Sequence, residues 1–167
     1  MAGDTHYVCI VRIDGVDTIC LWQSDDVTPD HVVVDADKRL LTFPSVSAAR
    51  AAGTAVSSDA PASYDLDAID AWCKSTRDDV DCRSILPAWN LIGDLPDLGS
   101  LYKALDDQAN TIYDKMFHGS SLPSMTPPGA EYTPTWRPAE LALLKRLLLL
   151  GLAELRARLP PERMRHG

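Results

Sequence analysis

HYVCIVRIDGVDTICLW, residues 6–22, sets two apolar runs on either side of Asp14-Gly15. An Asp-Gly pair between such runs is a favoured two-residue hairpin turn of type I′, because both residues tolerate positive φ. A turn at that point pairs positions whose numbers sum to 29, so Cys9 faces Cys20, Ile10 faces Ile19 and Arg12 faces Asp17. Side chains alternate between the two faces of a strand. One face then carries Tyr7, Cys9, Val11 and Ile13 against Val16, Thr18, Cys20 and Trp22, and the other carries Val8 and Ile10 against Ile19 and Leu21. Both faces are largely apolar, which predicts a hairpin interior to a sheet or covered on both sides. The Cys9 and Cys20 Cα atoms of such a pair stand about 5.5 Å apart, a separation that permits a disulfide. Two buried thiols are expected instead, because the chain reads as cytoplasmic.

A second hairpin is predicted from HVVVDADKRLLTF, with strands at 31–35 and 39–43 and a turn at 35–38. Ser45 then opens SVSAARAAG, where a serine cap, a run of alanines and Gly53 predict a short helix. TAVSSDAPAS, 54–63, reads as a loop by composition.

Beyond it the pattern turns helical. LDAIDAWC, 66–73, places Leu66, Ile69 and Cys73 on one face, with Asp65 as N-cap. SILPAWNLIG, 84–93, predicts a helix capped by Ser84, with Pro87 in its first turn and Gly93 at its end. Residues 101–117 repeat apolar side chains at Leu101, Leu105, Ala109, Ile112 and Met116. The segment 118–137 holds four prolines and reads as a long irregular strap, with Tyr132 and Trp136 as anchors, or as a recognition loop. Pro138 and Glu140 then open a last helix that runs to about Arg158. Its stripe of Leu141, Leu144, Leu148, Leu152, Leu155 and Leu159 is widened by Leu143, Leu147 and Leu150, which points to deep burial or an oligomer interface. Lys145 and Arg146 interrupt it, so the uninterrupted apolar run is too short to span a bilayer.

These elements predict one α+β domain over residues 1–167, β-rich over 7–53 and helical over 64–159. Its N-terminal antiparallel sheet packs against three to four helices, the leucine-rich last helix lying across the core. The motifs do not assemble into the signature of a named family.

DAWCKSTRDDVDCRS, 70–84, carries the main candidate site. Cys73 and Cys82 bracket eight mostly polar residues, a spacing that does not match a structural zinc site. The expected roles are core positions for the two thiols and a surface loop between them. Asp78, Asp79 and Asp81 on that loop, with Trp72 and Trp89 nearby, compose a candidate partner-binding surface, because aromatic anchors with charged rims build such surfaces.

Catalytic signatures are missing. The chain has no GxGxxG, no phosphate-binding GxxxxGK[ST], no HExxH and no GxSxG. His118 beside Ser120 and Ser121 reads as a helix C-terminal residue rather than part of a nucleophile site, and Asp25, Asp26 and Asp30 do not match a calcium loop. We therefore expect no cofactor, no metal and no catalytic residue, and leave enzymatic activity open.

Charge shapes the choice of partner. The net charge is -8, with all 20 aspartates before residue 115, while residues 115–167 hold 8 basic and 4 acidic side chains. An acidic body with a mildly basic tail opposes a nucleic-acid surface and suits a basic protein partner. The N-terminus has neither a basic region nor a long apolar one, so a cytoplasmic protein is expected. The leading expectation is a non-catalytic protein-binding protein, in its narrower form an inhibitor or immunity-type protein that masks a basic partner surface. A small hydrolase or transferase is the second reading, and self-association through the C-terminal helix the third. No membrane partner is expected.

Overall fold

The computed structural model describes residues 4–52, 55–96, 98, 106–120, 127, 129 and 132–161. Strands β1 (Thr5–Ile13) and β2 (Val16–Ser24) form the hairpin in the register the turn dictates, with Cys9 opposite Cys20 and Arg12 opposite Asp17. Asp14 and Gly15 take φ of 53° and 75°, as a type I′ turn requires. The turn is held from outside: the Asp67 carboxylate accepts the N–H of Asp14 (2.7 Å) and of Gly15 (2.8 Å).

Strand β3 (His31–Val32) pairs with β2, and β4 (Ala62–Asp65) runs parallel to β1, giving the order β3-β2-β1-β4. The second hairpin differs from expectation. Beyond β3 it is reduced to the bridges Val34–Leu40 and Ile19–Phe43. Two of its backbone donors serve helix ends, Val32 N–H the Asp94 carbonyl (3.0 Å) and Leu40 N–H the Arg158 carbonyl (2.7 Å), while Asp35 N–H and Leu41 N–H stay within the hairpin on the carbonyls of Arg39 (2.8 Å) and Val33 (3.2 Å). The 35–38 turn itself forms, with Lys38 at φ 61° and the Asp35 side chain accepting from Asp37 and Arg39. Strand β4 lies partly in the segment read as loop. Its sequence, Ala-Ser-Tyr-Asp, is mostly exposed and carries no apolar alternation, so its pairing rests on the backbone ladder together with Tyr64, which is half-buried against the main core.

Helix α1 (Val46–Ala52) is capped by Ser45, whose Oγ accepts from Ala48 N–H. It covers one sheet face, where Ala49 packs with Val8 and Leu21. The opposite face, with Cys9, Val11, Ile13 and Cys20, packs under helices α2 (Leu66–Cys73), α3 (Cys82–Gly93), α4 (Asp106–Gly119) and α5 (Pro138–Ala157). Both faces of the hairpin are thus covered. Helix α2 begins on the expected cap, the Asp65 carboxylate accepting from Ala68 N–H at 3.0 Å.

Helix α3 starts earlier than expected. Its cap is Asp81, not Ser84, and the Asp81 carboxylate takes both Ser84 N–H (3.4 Å) and Ser84 Oγ–H (2.7 Å). Asp81 and Ser84 both suit a helix start, and the earlier of the two wins. Pro87 consequently lies inside the helix rather than in its first turn. Helix α4 buries Ala109, Ile112 and Met116, while Leu101 and Leu105 lie outside the described residues. Helix α5 opens with Pro138 at its first position and the Glu140 side chain returning to the Arg137 N–H (3.0 Å). It buries Leu144, Leu147, Leu148, Leu152 and Leu155 in the main core. Among the described residues no helix is long and apolar enough to cross a membrane.

Candidate functional site

The chain between α2 and α3, residues 74–81, forms a ridge at the surface, and its order comes from below. Trp72, on the last turn of α2, is 7% exposed, and its Nε1–H donates to the Asp79 carbonyl at 2.7 Å. Lys145 of α5 donates through Nζ to the carbonyls of Ser75 (3.0 Å) and Arg77 (2.6 Å), and the same ammonium stands 4.8 Å from the centre of the Trp72 ring. Its charge thus meets two carbonyl dipoles and an aromatic face at once. Ser75 Oγ–H donates to the Trp72 carbonyl (2.7 Å) and accepts from Arg77 N–H (3.2 Å). Val80 packs against the core from the far end of the ridge.

The two cysteines that bracket the ridge are free and buried. Burial, aided by the nearby Asp70 charge, pushes the Cys73 thiol up to about 11. Burial also raises Cys82, with Asp81 adding to the shift. Thiols in that state are weak nucleophiles and weak metal ligands at neutral pH. They anchor the ends of the ridge in the core. At the hairpin, a hydrogen bond with Cys9 and burial together keep Cys20 protonated.

The acids of the ridge have separate tasks. Asp79 pairs with Arg77, whose Nε lies 2.9 Å from Oδ1, and that hydrogen bond holds the Asp79 carboxyl below the usual range. Asp81 is the cap of α3. Asp78 is exposed and lies on the outer edge of the ridge. Trp89 is 6% exposed within the main core. Trp89 therefore acts from inside the protein, while Trp72 shows only a small part of its surface to the groove beside β4.

Grooves flank the ridge on either side. The first, of about 450 Å³, runs beside the β4 strand, and brings Trp72, Asp79 and Asp81 together with Tyr64, Arg77 and Arg83. Arg83 is steadied by donation from Nε to the Ser120 carbonyl (3.1 Å). The second, of about 730 Å³, separates Asp78 and Val80 from Pro134, Trp136 and Leu141. Its far wall is the end of the irregular segment that precedes α5. Trp136 there is half-buried, with Lys115 Nζ 5.5 Å from its ring centre, and Lys115 also binds the Thr135 carbonyl (2.9 Å) and Glu140 (2.8 Å). This end of the segment is an ordered wall, whereas much of 118–137 lies outside the described residues. Tyr132, the other expected anchor, is 50% exposed. The wall also abuts Gly119, where a Cβ would stand 2.7 Å from the Cys82 sulfur and 2.9 Å from the Pro134 ring.

Nothing in the sequence marks Arg77, Arg83, Lys145 or Tyr64 as site residues, and Trp136 reads there only as an anchor of the 118–137 segment. Lys145 left one trace, as a charge interrupting a leucine run; Arg77 stood next to the aspartates without an assigned pairing.

The remaining sequence candidates are occupied locally. The Asp25 carboxylate accepts from Thr28 Oγ1 and from the N–H groups of Thr28 and Val27, which lowers it to about 2. Ser120 is buried, and its hydroxyl donates to the Phe117 carbonyl at 2.6 Å, while the His118 ring packs edge-on to Phe117. Among the described residues no group of three or more His, Cys, Asp or Glu side chains is placed to hold a metal ion.

These features define an α+β protein with a clamped acidic ridge between two grooves. No protein-family model matches the chain, and no similar protein was found among curated proteins or solved structures.

Proposed function

We propose that this chain is a non-catalytic protein-binding protein whose contact surface is the 74–81 ridge with the grooves beside it. One observation carries the reading: Trp72 and Lys145 hold the carbonyls of Ser75, Arg77 and Asp79 from within, so the ridge is ordered before any partner arrives. A preordered loop avoids most of the ordering cost of association. The grooves offer apolar walls at Trp72 and Trp136.

Charge supports a basic partner through the whole molecule rather than through the ridge alone. Arg77 neutralises Asp79 locally, but the net charge of -8 steers a cation toward the surface. The narrower form of the proposal is a cytoplasmic inhibitor or immunity-type protein. Its ridge would enter a basic cleft, with Asp78 taking the place of an anionic substrate group, and would act by occlusion. Nucleic acid is not proposed as a partner, since phosphate binding calls for clustered positive charge.

A second reading rests on the smaller groove. It joins Tyr64, Asp65, Asp79 and Asp81 from separate segments, the arrangement a small hydrolase or transferase would need. Against it, Asp65 and Asp81 are engaged as helix caps, and an Asp79 lowered by Arg77 is a poor general base. Turnover of an ester or phosphoester probe that is lost in Asp79→Asn would favour this reading.

The test is capture from lysate of the native host with tagged chain, with Asp78→Lys, and with Asp59→Lys as a surface control. The expected result is a stoichiometric basic protein, lost with Asp78→Lys and kept with Asp59→Lys. A partner retained by Asp78→Lys moves the contact surface elsewhere, and no partner at all overturns the binding reading.

A further inference from the structure

Helix α5 has a second face, turned away from the core. Ala139, Ala142, Arg146, Leu150, Ala153 and Ala157 recur every three or four residues along it, and all are exposed. At 3.6 residues per turn they form one continuous stripe. Leu143 flanks the stripe half-buried, and Leu150, at its middle, is 40% exposed. The charges on this face are Arg146 and Glu154, one on each side of Leu150 and equally far from it in sequence. Eight residues of helix put them about 12 Å apart along the axis, too far to pair within one chain. Among the described residues neither makes a salt bridge.

We infer that this face docks against the same face of a second copy of the chain, antiparallel, about a two-fold axis through Leu150. That symmetry sets Arg146 of each copy opposite Glu154 of the other, and Leu150 against Leu150, so the patch is complementary to itself as an isologous interface must be. A parallel pairing would instead set Arg146 against Arg146 and Glu154 against Glu154. The alanines admit close approach of the two helix axes, toward the lower end of about 8–10 Å. A face about 30 Å long and about 10 Å wide covers roughly 300 Å² per copy. The total, about 600 Å², is roughly a third to a half of the roughly 1,200–2,000 Å² of a stable complex. The dimer is therefore reversible and weak; it leaves the 74–81 ridge out of the interface and shares Ala142 with the rim of the larger groove. The inference does not depend on the function proposed for the ridge.

Sedimentation equilibrium of the full chain from about 10 μM to about 1 mM spans the range of such an affinity. The wild type is expected to dimerise reversibly within it. Arg146→Glu alone and Glu154→Arg alone each place like charges opposite one another, and each is expected to weaken the dimer at least about tenfold. The double exchange, Arg146→Glu with Glu154→Arg, restores both pairs and is expected to bring affinity back to within about threefold of wild type. Leu150→Glu abolishes dimerisation, and circular dichroism checks that each variant remains folded. A wild type that stays monomeric throughout overturns the inference. So does a dimer indifferent to Leu150→Glu, or a double exchange that fails to recover what the single exchanges lose.

Discussion

Lys145 is a surface-side lysine of α5 whose charge is spent inward, on two carbonyls and the ring of Trp72. Replacing it with methionine keeps most of the aliphatic stem over the indole and removes the ammonium. Stability is expected to fall by about 1–2 kcal/mol, because the freed carbonyls lie near solvent and rehydrate in part. Amide exchange in residues 75–80 should accelerate by about tenfold or more. Unchanged exchange there would mean that Lys145 does not order the ridge. Asp94 behaves in the opposite sense to Asp79. Burial pushes its carboxyl above the ordinary range, while the hydrogen bond from Trp22 Nε1 (2.8 Å) opposes that shift. A raised folded-state pKa contributes stability that is complete below the unfolded value of about 3.9 and is lost as pH rises through the folded value. Asp94→Asn retains an acceptor for Trp22 and cannot ionise. It should be more stable than wild type in urea titrations at pH 7, with the gain vanishing toward pH 3. A pH-independent difference would contradict the assignment. The acids of 78–81 were visible in the sequence, but the direction of Trp72 was not. An aromatic beside an aspartate cluster looks the same whether its indole faces a partner or its own loop.

Elements differ in how local their causes are. The hairpin register, the start of α2 at Asp65 and the start of α5 at Pro138 could all be read from a few adjacent residues, because turn and cap chemistry acts over one to four positions. Strand β4 could not. Its partner β1 lies some fifty residues earlier, and its own polar sequence says nothing about pairing. The second hairpin differs from its sequence pattern for the complementary reason: its apolar runs are real, but Asp94 and Arg158 at two helix ends accept hydrogen bonds from its backbone. At α3 the choice between Asp81 and Ser84 is testable. Asp81→Ala should cost about 1 kcal/mol and Asp81→Asn only a few tenths, since asparagine caps nearly as well. If Ser84→Ala, measured by the same urea titration, proved the costlier change, Asp81 would not be the cap of α3.

At the scale of the molecule, an acidic body and a mildly basic last helix are joined by one large core running from Cys9 on the sheet to Leu159 beyond α5. The broad leucine stripe splits into a buried face and an outward face, and sequence alone left both uses of it open. Partner association steered by the net charge should weaken as salt rises, because exposed charges are screened beyond about 8 Å at physiological ionic strength. A partner affinity independent of salt from 50 mM to 500 mM (about a threefold change in Debye length) would remove electrostatics from the account. The most direct measurement is hydrogen exchange of the chain with and without the captured partner. New protection is expected to concentrate in residues 74–81 and 133–142, the ridge and the wall across the larger groove. Protection confined to other segments, with these two unchanged, would contradict it.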